Sequence, residues 1–221
     1  MAQATPICPH SAELCRLRVT ALDADGSVAA GPNNSYITDS PIQLAVTPEI
    51  KAGTSTDVVN GCGCVCVTRR TPDQFLRWDL TLQLCAVEPA LTSLLIDAQL
   101  HEDASDIPVP IGWDWPQMAS CDTPPLVAIE AWSEAWDFDG PHASPNRWIY
   151  WLFLSVQFHI DAFTLADGFM LPQYAGVSKA NSLWGEGPYG DVGVSFGPAG
   201  GVVFTDLIPD ADCAFSTVGS T

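Results

Sequence analysis

Basic residues are scarce. Lysine and arginine together number 8 against 26 aspartates and glutamates, a formal charge of −18. Between Arg77 and Arg147 there is no Lys or Arg, while twelve acids occur. A charge of this sign repels nucleic acid at long range, so a protein that grips DNA through a basic footprint is excluded. A protein past which DNA slides without sticking is not. Long apolar runs are missing as well. The most apolar segment, residues 148–158, is followed at once by His159 and Asp161, whereas a membrane helix needs about 20 apolar residues. The opening MAQATPICPHSAEL has no basic or apolar leader region, so a secretory signal is not expected. The expectation is a soluble chain made in the cytoplasm, its eight cysteines mostly reduced at synthesis. Internal repeats, low-complexity tracts and phosphate-binding loops are absent too.

What is present describes a folded protein. The chain has 221 residues, 47% of them hydrophobic, with eight tryptophans, which rules out disorder for its body and suits one domain with a sizeable core. Alternation of period two dominates. In residues 75–85, Leu76, Trp78, Leu80, Leu82 and Leu84 share one face and Arg77, Asp79, Thr81 and Gln83 the other. Leu17, Val19 and Ala21 alternate with Arg16, Arg18 and Thr20, and Ile42, Leu44 and Val46 form a shorter set. Residues 147–160 put Trp148, Tyr150, Leu152, Leu154, Val156, Phe158 and Ile160 on one side, with Ile149, Trp151, Phe153, Ser155, Gln157 and His159 opposite.

A single helix is predicted, over residues 88–96, with Pro89 in its first turn, Glu88 complementing its dipole and Leu91, Leu94 and Leu95 as an apolar stripe. Asp23-Ala-Asp-Gly26 reads as a hairpin turn and Gly31-Pro-Asn-Asn34 as a second turn. Residues 101–125 form a long Pro- and Trp-containing loop, and Val202 to Phe204 a late strand. The expected fold is all-β, a sandwich or barrel with one flanking helix. Residues 1–14 form an N-terminal arm, 15–205 the β domain and 206–221 a C-terminal tail.

Four features invite a chemical reading. Gly193-Val-Ser-Phe-Gly197 spells G-x-S-x-G, but a nucleophile elbow needs a helix after the serine, and Gly197-Pro-Ala-Gly-Gly201 follows. In that hydrolase fold the histidine also comes after the serine, and the last one here is His159. Cys62-Gly-Cys-Val-Cys66 would put three thiols on one face of a strand. It is open to three readings: a soft-metal site, a disulfide of Cys64 or Cys66 with Cys85, or plain buried thiols. Glu130 with Glu134, or Asp137 with Asp139, imitates a glycosidase pair beside tryptophans, although chance pairs are expected in so acidic a chain. Asn33-Asn-Ser35 matches a glycosylation acceptor, which has no meaning without secretion. No catalytic residue, cofactor or metal is assigned.

Several segments, in order, resemble the major tail protein, or tail tube protein, family of long-tailed bacteriophages, particularly those of actinobacterial hosts. The segments are Arg16-Leu-Arg-Val-Thr-Ala-Leu-Asp-Ala-Asp-Gly26, the strand-to-helix joint of residues 80–95, and Leu126-Val-Ala-Ile-Glu-Ala-Trp132 followed by Arg147-Trp-Ile-Tyr-Trp-Leu-Phe153. The last, and the most specific, is Asn181-Ser-Leu-Trp-Gly-Glu-Gly-Pro-Tyr189. The resemblance implies a structural virion protein, not an enzyme, made in the host bacterial cytoplasm and residing in the tail. Its copies would form hexameric rings that stack head-to-tail into a hollow tube around a tape-measure protein, bounded by tail terminator and tail-tip proteins. Double-stranded DNA would pass through an acidic lumen without specific binding, and no membrane would be involved.

On that reading Trp184, Gly185, Gly187, Pro188 and Tyr189 are a structural motif. Trp113 and Trp115 are candidates for contacts between rings, and Arg16, Arg18, Arg69, Arg70, Arg77 and Arg147 for ion pairs between subunits. The competing reading is a carbohydrate-binding or adhesive β-sandwich using Trp113, Trp115, Trp132 and Trp136 as stacking platforms.

Overall fold

The alternating segments pair into one antiparallel sheet. A computed structural model describes residues 10–105, 108–116, 124–137, 140–141, 147–162, 171–190, 192–210 and 213–218. Its strands are β1 (His10–Leu22), β2 (Gly31–Thr38), β3 (Pro41–Lys51), β4 (Ser55–Val59), β5 (Val65–Arg70) and β6 (Gln74–Leu84). Helix α1 (Pro89–Ile96) follows, then β7 (Leu100–Glu102), β8 (Pro110–Trp113), β9 (Leu126–Asp137), β10 (Gly140–Pro141), β11 (Trp148–Ala162), β12 (Gln173–Ser178), β13 (Gly201–Thr205) and β14 (Ala214–Val218). The main sheet runs β14-β2-β1-β9-β11-β12-β6-β3, with β10 beside β9 and β13 beside β11. β4 pairs with β5, and β7 with β8, as separate ribbons. The fold is all-β with one helix.

Curvature creates two cores. The sheet bends until β3 comes against β1. Its inner face, with α1, buries Leu17, Val19, Leu80, Leu82, Leu91 and Ile129 among others. On the opposite face of β1, β9 and β11, Leu22, Ala128, Trp132, Tyr150, Leu152, Leu154 and Trp184 form the second core. The polar face of β1 is therefore not wet: Arg18 and Thr20 are buried. Alternation marks which residues share a face, but it cannot say whether a later segment covers the polar one.

Strict alternation also fails within β11. Trp148, Tyr150, Leu152 and Leu154 serve the second core, whereas Val156, Phe158 and Ile160 serve the first. The switch occurs at Ser155, which adopts φ 46°, where the β9 register slips between Phe153 and Val156. This is a β-bulge: one extra residue exchanges the two faces. The Ser178 hydroxyl donates to the Leu154 carbonyl (2.8 Å) and the Lys179 N–H to the Ser155 carbonyl (3.2 Å), which satisfies the backbone of the bulge. The left-handed conformation costs a non-glycine residue about 1 kcal/mol or more. Ser155→Gly is therefore expected to stabilise the chain by up to about 1 kcal/mol, read from the midpoint of a denaturant titration.

Other boundaries differ from expectation. β1 starts at His10, inside the expected arm, and the expected tail contains β14, which pairs with β2. Gly31-Pro-Asn-Asn34 is the start of β2 rather than a free turn. Gly31 and Asn33 adopt φ 128° and 65° there, and Ser35 is fully buried. Helix α1 ends at Asp97 in the left-handed region, φ 54°. Its N-cap, Glu88, makes no side-chain cap hydrogen bond. The Glu88 carboxylate instead accepts from the Thr38 hydroxyl (2.8 Å) and the Ser40 hydroxyl, tying the helix start to the β2–β3 turn.

Candidate assembly interface

β3 and β6 continue beyond the body of the sheet as a long two-stranded arm. Their ladder runs from Pro41 opposite Leu84 to Lys51 opposite Gln74, and β4 and β5 extend it. The joint is specified by short contacts. The Gly53 N–H donates to the Asp73 carboxylate (2.8 Å) and the Thr54 N–H to the Thr71 hydroxyl (2.8 Å). A Cβ on Gly53 would sit 1.8 Å from the Thr71 carbonyl oxygen, so only glycine fits. At the tip, the Asn60 side-chain oxygen accepts from the N–H groups of Cys62 (3.0 Å) and Cys64 (2.9 Å), and Gly63 turns the chain at φ 80°.

Nothing within the described residues covers this arm. Every residue of β4 and β5 is exposed. Val58, Val59, Val65 and Val67 are 57–60% exposed, and Ile50, Phe75 and Leu76 at the root are about half exposed. An isolated two-stranded ribbon is marginally stable in water at best, and apolar side chains of this kind on an uncovered ribbon mark an interaction surface. The arm also differs in charge from the body. Lys51, Arg69 and Arg70 against Asp57 and Asp73 give residues 50–76 a formal charge of +1, leaving −19 on the rest of the chain. The local signal for it is Asn60-Gly61 between valine-rich flanks, a strong hairpin cue that is absent from the turns predicted above.

Behind the opposite face lies a polar network. The Arg18 Nε and Nη2 donate to the two oxygens of Glu130, each at 2.6 Å, and the Tyr150 hydroxyl donates to Glu130 at 2.8 Å. The Arg18 guanidinium lies 3.5 Å from the Tyr189 ring centre and 5.2 Å from that of Trp132, stacked between two aromatics. Tyr189 and Thr20 hydroxyls are 3.1 Å apart. Burial pushes the Tyr189 phenol above its usual pKa.

Residues 181–189 thus seal the second core. Trp184 is buried, and the Asn181 side chain donates to the Gly26 carbonyl (2.7 Å), binding this segment to the first hairpin. Gly185 and Gly187 have φ 60° and 79°, and a Cβ on Gly187 would meet Trp184 Nε1 at 2.9 Å. Gly187→Ala is expected to cost about 1–2 kcal/mol, seen as a lower thermal midpoint.

The remaining sequence candidates disperse. Arg18 is not free for another subunit, because its carboxylate partner belongs to its own chain and both are buried. Arg77 pairs with Glu49 (2.6 Å) and Asp79 (3.0 Å), Arg147 with Glu134 (3.3 Å), and Arg70 lies 3.8 Å from Asp73, all exposed or partly so. Arg69 is exposed on β5, and Arg16 is half-buried on β1. Trp115 is exposed, while Trp113 is half-buried against the first core, their rings 6.1 Å apart and edge-on. Trp132 belongs to the second core and cannot stack on a sugar.

Cys62, Cys64, Cys66 and Cys85 are neither paired nor buried: all four are free and exposed. Cys62 and Cys64 belong to the arm's turn rather than to a strand, so the three thiols do not share a strand face. Among the described residues no group of His, Cys, Asp and Glu is arranged to hold a metal ion.

Ser195 is exposed in irregular backbone, with no strand before it and no helix after it. Glu130 is buried and held by Arg18 and Tyr150, so it is not open to act with Glu134 as a glycosidase pair, and Asp139 falls outside the described residues. Two adjoining grooves of about 470 and 500 Å³, the first mainly apolar and the second mixed, share Val46, Trp151 and Phe153. Neither is lined by a histidine or by a carboxylate pair.

No protein-family model and no curated protein matches this chain. Among the described residues no helix is long and apolar enough to cross a membrane.

Proposed function

We propose that this protein is a self-assembling structural component whose copies build rings that stack into a hollow tube, as the resemblance to phage tail tube proteins implies. The observation that carries the reading is the arm: an ordered, valine-rich, net-positive ribbon with both faces uncovered, on a chain otherwise strongly negative. Identical copies supply the complementary surface. Head-to-tail contact between unlike patches generates rings and filaments rather than closed dimers. The edge of β14, at one end of the main sheet, is a further site where a neighbour can pair, whereas the β3 edge turns back toward β1.

Excess acid suits a lumen that conducts DNA without holding it. Hexameric rings, a tape-measure protein within the tube, terminator and tip proteins at its ends, and residence in a virion tail belong to the same proposal. The chain performs no catalysis in this scheme.

Negative-stain microscopy of the purified chain tests the reading. Rings or hollow tubes support it. A protein that stays monomeric at every concentration overturns it, and glycan binding by that monomer would favour an adhesive module instead.

A further inference from the structure

Four exposed thiols among the described residues sit at the far end of the β4–β5 ribbon and at the near end of the β3–β6 ladder. Cys62, Cys64 and Cys66 occupy the arm's tip. Cys85 follows β6 directly, where its N–H donates to the Ser40 carbonyl (2.9 Å), at the end of the ladder where Pro41 faces Leu84. From there to the tip the chain runs through β3 and β4, a contour of roughly 60 Å at about 3.3 Å per residue. A disulfide requires Cα atoms within about 7 Å. Within one copy β4 and β5 pack on each other and all four thiols are free, so the bond is sought between copies.

Resting on the head-to-tail stacking proposed above, we infer that the tip cysteines of one copy form disulfides with Cys85 of the next, locking the stack covalently. Charge favours the encounter. The arm carries +1, and the receiving end presents the exposed carboxylate of Asp39 beside Ser40 on a body of −19. Three thiols within five residues also tolerate small differences in docking register, since any one of them can react.

Cys213 flanks the same turn, its sulfur 3.5 Å from an Asp39 carboxylate oxygen. Its S–H is engaged with that carboxylate, so Cys85 is the preferred partner. In the bond-forming step two S–H bonds break and one S–S bond forms. Two protons and two electrons pass to molecular oxygen, giving hydrogen peroxide. Reducing cytoplasm keeps the thiols apart, so the lock closes after release into an oxidising medium.

The test assembles the purified full-length chain under tris(2-carboxyethyl)phosphine, checks for tubes by microscopy, then removes the reductant in air. Non-reducing electrophoresis is expected to show loss of the monomer band into a ladder of multimers that dithiothreitol collapses. Mass spectrometry is expected to join the tryptic peptide of residues 52–69 to that of residues 78–147, with fragment ions placing the bond at Cys85 and not at Cys121. Cys85→Ser, and the triple change Cys62→Ser, Cys64→Ser and Cys66→Ser, should each abolish the ladder in the same electrophoresis, and Cys213→Ser should keep it. Tubes without a ladder, a ladder that survives Cys85→Ser, or tip-to-tip dimers alone would overturn the disulfide. Absence of tubes and rings under reductant would overturn the assembly reading itself.

Discussion

Replacing Glu130 with alanine is expected to destabilise the protein by about 3–5 kcal/mol, more than any other single substitution proposed for this chain. Arg18 and Glu130 are 3% and 2% exposed, so removing the carboxylate leaves a guanidinium buried without its counter-charge. The Tyr150 hydroxyl loses its acceptor in the same step. Much of the effect belongs to the orphaned charge rather than to the net strength of the pair, because bringing both ions out of water is itself costly. Hence the double change Arg18→Met with Glu130→Leu should recover most of the loss, although either change alone does not. Urea denaturation of the two single variants and the double variant, compared as a thermodynamic cycle, measures the coupling. Near-additive single effects would show that the pair contributes little.

The second large effect concerns assembly rather than folding. Joining Lys51 to Gln74 through an Asn-Gly turn removes residues 52–73 at a point where the two strands already face one another. Every residue of β4 and β5 is exposed, so no core is lost. Shortening the connection also lowers the entropy cost of closing it. The shortened chain should keep its strand-rich circular dichroism and melt cooperatively, yet form no tubes at concentrations where the full chain does. Tubes from the shortened chain would remove the arm from the proposed mechanism.

How much of the molecule is legible in its sequence follows from what each signal encodes. Leu80, Leu82 and Leu84 alternate because one face of β6 meets the core, and that face is readable. Ser155 carries no mark of its left-handed backbone, so alternation extends through it on paper and misassigns the second half of β11. Arg18 and Thr20 look like a solvent face because their cover, Tyr189 and Trp184, lies more than 160 residues further along the chain. The motif of residues 181–189 is recognisable as structural, but its task of closing the second core depends on long-range packing. Cys62 and Cys64 look like strand residues until Asn60 is seen to gather their N–H groups into a turn. The arm's lack of cover is a three-dimensional fact, since valines alternating near Asn60-Gly61 would read the same in a buried hairpin.

The chain path from the β3–β6 ladder into the β4–β5 ribbon has a mechanical consequence. A neighbour gripping the tip along the strands would load both legs of the hairpin together through their covalent backbone, and would put the β6–β12 ladder in shear, where many hydrogen bonds resist at once. A rod built from such links would bend before it parts.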